Sequence, residues 1–113
     1  MTDDTTTRRM HPRTDLVELD DRYELRLDAP GADPQAMDLA YEKGTLEVSL
    51  PKADRSQASA GTDGARPAWF LRSSFGDLIA AEDVEARYER GVLVVVLPKA
   101  RARQARRIDV SFN

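Results

Sequence analysis

From Leu16 onward the chain alternates apolar and charged residues. In Tyr23-Glu24-Leu25-Arg26-Leu27 every second residue is apolar, the period of a strand with one buried face. Leu16-Val17-Glu18-Leu19 precedes it across Asp20-Asp21, a turn signal because Asp side chains bond nearby backbone. Ala29-Pro30-Gly31-Ala32-Asp33-Pro34 stops the strand, since proline has no N–H to give a ladder. Met37, Leu39 and Tyr41 then alternate with Asp38, Ala40 and Glu42, and Leu46, Val48 and Leu50 with Glu47 and Ser49. Lys43-Gly44 turns the chain between them, and Pro51 closes the second strand. Trp69-Phe70-Leu71 starts a strand running to Phe75, and Ala80-Ala81-Glu82-Asp83 suits one short helical turn. Val84, Ala86 and Tyr88 alternate with Glu85, Arg87 and Glu89. After Arg90-Gly91, the unbroken apolar run Val92–Leu97 predicts a strand covered on both faces, ended by Pro98.

The segments Tyr41–Ala53 and Tyr88–Ala100 repeat one order: strand end, glycine turn, strand, proline stop. One repeated pair is too little for a repeat architecture. The copies differ where Glu47 and Ser49 become Val94 and Val96, so the first strand is expected to keep a wet face and the second to lie deeper. Short strands with regular turns and no long helical period predict an all-β fold, an immunoglobulin-like antiparallel β-sandwich. Residues 1–13 hold almost nothing apolar and read as a disordered N-terminal arm. The domain is expected over 14–98, with a long flexible loop at 53–67 that contains no large apolar residue. Residues 99–113 form a basic extension with one small apolar island, Ile108-Asp109-Val110.

Composition narrows the chemistry. A chain of 113 residues suits one domain with a real core. There is no cysteine, which excludes a disulfide framework and thiolate metal sites. The single histidine, His11, stands in the polar arm and reads as a solvated residue. No Ser-His-Asp arrangement can be built, and the acid pairs Asp20-Asp21 and Glu82-Asp83 read as solvated turn residues; no enzyme activity, cofactor or metal is expected. No phosphate-binding Gly-x-x-x-x-Gly-Lys-Ser/Thr loop occurs. Net charge is −3, and no apolar run is long enough for a membrane helix or a signal-peptide core, so a cytoplasmic location is expected.

Several stretches together resemble the small heat-shock proteins of the Hsp20, or α-crystallin, family. Ala86-Arg-Tyr-Glu-Arg-Gly91-Val92-Leu93 is similar to the family's Ala-x-x-x-x-Gly-Val-Leu signature, and Val94-Val-Val-Leu-Pro98-Lys99 continues it. Asp20-Asp21-x-Tyr23-x-Leu25-x-Leu27-Asp28-Ala-Pro30-Gly31 resembles the early strand and its corner, with Ala29 where Leu is usual. Gly44-Thr-Leu46-Glu-Val48 resembles the intervening hairpin, Phe70-x-Arg72 the strand after the long loop, and Ile108-Asp-Val110 the Ile-x-Ile/Val motif of the C-terminal extension. The resemblance runs from about Asp15 to Val110. It implies an ATP-independent holdase that binds unfolding client proteins and self-associates as a dimer or larger.

On that footing, the strands at 37–41 and 84–88 are expected to border an edge groove lined by Met37, Leu39, Tyr41, Val84, Ala86 and Tyr88, with small Ala86 leaving a socket. Ile108 and Val110 stand at i and i+2, so an extended tail shows both on one face and fits such a groove. Burying both side chains contributes roughly 3–6 kcal/mol before ordering costs, the scale of a reversible latch. The plainer alternatives are that the groove residues face the core and that Ile108 and Val110 belong to a terminal edge strand. Trp69, Phe70 and Phe75 read as core rather than client contacts.

Two rival roles follow from other features. Residues 99–107 hold Lys99, Arg101, Arg103, Arg106 and Arg107 with no acid, a tail able to contact phosphates of a nucleic acid. The remainder carries 12 basic against 20 acidic residues, so the body repels such a ligand, and the tail lacks a stacking platform. A related sandwich acting as a co-chaperone adaptor would dock on one dedicated partner, but such domains generally lack the Gly-Val-Leu run and the Ile-x-Val tail.

Overall fold

The structure, a computed structural model, describes residues 9–53, 66–101 and 108–111. Among the described residues there are eight strands: β1 (Arg9–Met10), β2 (Thr14–Glu18), β3 (Arg22–Asp28), β4 (Asp38–Glu42), β5 (Thr45–Pro51), β6 (Ala68–Ser74), β7 (Glu85–Glu89) and β8 (Val92–Pro98). They form two four-stranded sheets, ordered β1-β6-β5-β4 and β2-β3-β8-β7. Every pairing is antiparallel except β1 with β6, which is parallel. The all-β sandwich expected from the alternation is the observed architecture. Single 3₁₀ turns stand at Pro34–Ala36 and Ala81–Asp83, the second within the predicted helical turn.

The core forms where alternate residues of the central strands meet. Leu25 and Leu27 of β3, Leu46, Val48 and Leu50 of β5, and Leu93, Val95 and Leu97 of β8 are all buried. Both repeated hairpins turn in the same way. Lys43 and Gly44 have φ of 51° and 78°, and Arg90 and Gly91 have φ of 54° and 82°. Positive φ at both central residues matches the right-handed twist of the flanking strands. At Gly44 a second constraint applies: a Cβ would lie 2.5 Å from the carbonyl oxygen of Gly76. That contact locks the β4–β5 turn to the segment after β6, where Phe75 N–H donates to Gly44 O at 2.7 Å.

Three expectations need correction. First, β8 is not covered on both faces. Leu93, Val95 and Leu97 are buried while Val92, Val94 and Val96 are half-buried, the same pattern as β5. β8 is a central strand, but its outward valines are flanked by charged neighbours, Arg26 and Arg87 beside Val94 and Glu24 and Glu85 beside Val96. Second, the arm expected over 1–13 ends earlier. Arg9 and Met10 pair with Ala68 and Trp69, the Arg9 guanidinium lies 3.9 Å from the centre of the Phe70 ring, and Pro12 is fully buried. Residues 1–8 lie outside the described residues. Third, the extension leaves the body after Ala100 rather than at 99. Ile79 and Lys99 form a bridge, Ala100 N–H donates to Leu78 O at 2.7 Å, and Lys99 N–H donates to Asp21 O at 2.8 Å.

The loop expected over 53–67 falls mostly on residues 54–65, outside those described. Its stems are joined: Lys52 N–H donates to Pro67 O at 2.9 Å, and Arg66 reaches Lys52 O at 3.2 Å and Asp33 at 3.6 Å.

Candidate functional site

β4 ends one sheet and β7 ends the other, and these two edges do not pair with each other. Two layers joined only through side chains leave an open seam along one side of the sandwich. Register decides what points into it. Leu39 stands opposite Val48 and Tyr41 opposite Leu46, while Ala86 stands opposite Val95 and Tyr88 opposite Leu93. Each of those partners is buried, so the edge residues share the inward face.

The seam holds a cavity of about 260 Å³. Leu39, Tyr41, Val84 and Ala86 line it, four of the six residues named from the sequence. Leu46 lies behind them, and Ala40, Ala81 and Glu85 complete the lining. Ala86 is exposed and small, so the wall is open at its position. Met37 and Tyr88 are not in this lining; both are half-buried against the core. Tyr88 is turned away by its hydroxyl, which donates to Ala29 O at 2.7 Å. The alternation marked the inward residues of each edge. The contribution of Ala81 and Leu46 depends on how the sheets face, which alternation does not encode.

One polar atom of a residue that lines the seam stands out. The Tyr41 hydroxyl is buried and, among the described residues, has no hydrogen-bond partner. Burial pushes its pKa up. A buried hydroxyl with no partner costs about 1–3 kcal/mol.

Ile108 and Val110 are each 77% exposed and lie outside any strand. The terminal-edge-strand alternative therefore does not hold within this chain. Among the aromatics, Phe75 is buried against Tyr23, with ring centres 5.5 Å apart. Trp69 and Phe70 are half-buried and each is capped by a cation, Lys52 over Trp69 at 5.0 Å and Arg9 over Phe70. At the root of the extension, Lys99 Nζ lies 2.8 Å from Glu18. That hydrogen bond holds Glu18 below its ordinary carboxylate value and raises Lys99 above its own. No helix among the described residues is long and apolar enough to cross a membrane.

Comparison with known proteins matches the family model described as Hsp20/alpha crystallin family over residues 15–111. Similar solved structures are small heat-shock proteins. Heat shock protein 16.0 from Schizosaccharomyces pombe has a TM-score of 0.70 at 20% identity, over 91% of this chain and 77% of that one. A small heat-shock protein from Xylella fastidiosa, whose crystal structure reveals a distinct high order structure, has a TM-score of 0.68 at 26% identity, over 91% and 98%. HspA from Xanthomonas axonopodis has a TM-score of 0.65 at 24% identity, over 85% and 98%. No curated protein sequence matches the chain.

Proposed function

The chain belongs to the Hsp20/alpha crystallin family, and on that premise we propose that it is an ATP-independent holdase that binds partly unfolded proteins and limits their aggregation. The family as a whole supports a chaperone role. The observation that carries the finer reading is the β4–β7 seam: an open cavity lined in part by Leu39, Tyr41, Val84 and Ala86, with the buried Tyr41 hydroxyl unpartnered among the described residues. An extended segment meets both requirements, side chains at i and i+2 for the cavity and a backbone carbonyl for the hydroxyl. Such recognition has low sequence specificity and uses no nucleotide. Ile108 and Val110 are the chain's own segment of that form, and docking them on a neighbouring copy is the assembly latch in this proposal. Self-association also agrees with the high order structure of the Xylella fastidiosa relative. The cytoplasmic location expected above belongs to the same proposal.

The test is light scattering from a heat-aggregating protein without ATP, run beside the solution mass of the intact chain and of an Ile108→Gly/Val110→Gly variant. The expected result is suppressed aggregation, with a variant that stays folded but assembles less. An intact chain that remains monomeric and protects nothing overturns the holdase reading and favours an adaptor for one dedicated partner.

A further inference from the structure

The rim of the seam has a charge that the latch itself does not require. Asp38 and Glu42 on β4, and Glu82, Asp83, Glu85 and Glu89 on and before β7, are all exposed. Against these six acids, the stretches 38–42 and 82–89 hold one base, Arg87. None of the six forms an ion pair with another described residue. Glu85 also lines the cavity, so this charge borders the Leu39, Val84 and Ala86 side chains there directly.

The one strongly basic stretch of the chain is the run leading to Ile108, with Arg101, Arg103, Arg106 and Arg107 and no acid. We propose that the acidic rim is an ionic clamp for these arginines on a second copy, making assembly through the seam selective for its own tail and weakened by salt. The inference rests on the docking reading above and adds to it the charge that selects the occupant. An extended tail with Ile108 and Val110 turned into the socket points Asp109 the opposite way, clear of the wall. Arg106 and Arg107 then lie just outside the apolar contact, within reach of rim carboxylates.

A second copy lies within the tail's reach because of where the tail leaves. It departs at Ala100, whose N–H is bonded to Leu78 near the Ala81–Asp83 turn. At full extension the chain from there to Ile108 reaches at most roughly 26–29 Å, enough to pass the roughly 17 Å of a five-residue strand such as β7 and meet a neighbouring copy.

The test measures the dissociation constant for assembly of full chains in about 50 mM and about 500 mM salt, where charge screening changes strongly. Three samples are compared with the parent: Glu82→Lys/Asp83→Lys/Glu85→Lys, the tail variant Arg101→Glu/Arg103→Glu/Arg106→Glu/Arg107→Glu, and an equal mixture of both. Two or three exposed pairs predict that high salt or either variant weakens assembly about fivefold to tenfold. The mixture should recover assembly, because reversed rim meets reversed tail. If Ile108→Gly/Val110→Gly abolishes assembly while salt and charge reversal leave it unchanged, the clamp is wrong and the apolar latch stands. If the glycine variant also leaves assembly unchanged, both readings fail. A parent chain that stays monomeric with its tail protected from proteolysis only when the rim is intact overturns the second copy as occupant.

Discussion

The Tyr88 hydroxyl donates a 2.7 Å hydrogen bond to the carbonyl oxygen of Ala29, tying the outermost strand of one sheet to the corner that follows β3. Ala29 O also accepts from Ala32 N–H at 3.2 Å, so removing the tyrosine hydroxyl does not orphan the carbonyl. Tyr88→Phe is therefore expected to cost about 0.5–1.5 kcal/mol, the net value of one hydrogen bond. Urea denaturation measures it. A loss well above that range means that Tyr88 positions more of the corner than this one bond.

Two glycines with the same φ of 78° separate backbone strain from collision. At Gly31 an added Cβ meets nothing within 4 Å, whereas at Gly44 it meets the Gly76 carbonyl. Gly31→Ala should cost about 1–2 kcal/mol, the price of the left-handed conformation for a residue with a Cβ. Gly44→Ala should cost at least about 2 kcal/mol more, because two backbone segments must separate. Equal losses in the two variants would show that the close approach of Gly44 and Gly76 relaxes freely.

Val95 and its neighbour Val94 test the single buried face of β8. Val95 is fully buried and Val94 half-buried. Val95→Ala should destabilise by about 2–3 kcal/mol and Val94→Ala by less than about 1 kcal/mol. Thermal or urea unfolding of both variants decides it, and similar losses would restore a strand covered on both faces.

The same pair shows what the sequence encodes. A period of two reveals which residues share a face, so Leu25, Leu27, Leu46, Val48 and Leu50 were legible as core. In Val92–Leu97 both faces are apolar, and the period carries no information about which one is covered. The lateral charges of Arg26 and Arg87 shade Val94, and they are remote in sequence. β1 was missed because two residues are too few to show a period, and its hold on β6 is a backbone pairing with a cation over Phe70. Edge alternation together with family resemblance named four residues that the structure brings to one cavity, Leu39, Tyr41, Val84 and Ala86. Ala81 and Leu46 enter only through the facing of the two sheets, and Tyr88 leaves through its bond to Ala29.

The Glu18–Lys99 pair at the root of the extension gives a pH signature. Glu18 titrates lower in the folded chain, so its contribution is present above the ordinary carboxylate range and is lost as pH falls through the lowered value. Lys99 titrates higher, so its contribution is present below the ordinary lysine value and is lost as pH rises through the raised one. The stability difference between the parent and Glu18→Gln should therefore be level from about pH 5 to about pH 10 and shrink outside that window. Urea midpoints across pH test this, and a difference independent of pH would mean that packing rather than charge sets the effect.

Tyr41→Phe separates folding from binding by sign. In the free chain the buried Tyr41 hydroxyl has no partner among the described residues, so removing it should leave stability unchanged or raise it by up to about 3 kcal/mol. In the docking proposed above the same hydroxyl would donate to an incoming carbonyl, and its loss should weaken assembly or client capture by about threefold to tenfold. A residue that only packs in the core would move both measurements in the same direction. Unfolding of the dilute monomer and light scattering with a test protein, made on one preparation, give the two signs. If stability and capture fall together, Tyr41 is a core residue. If stability holds while capture falls, its hydroxyl is the polar contact that the seam keeps for an extended partner.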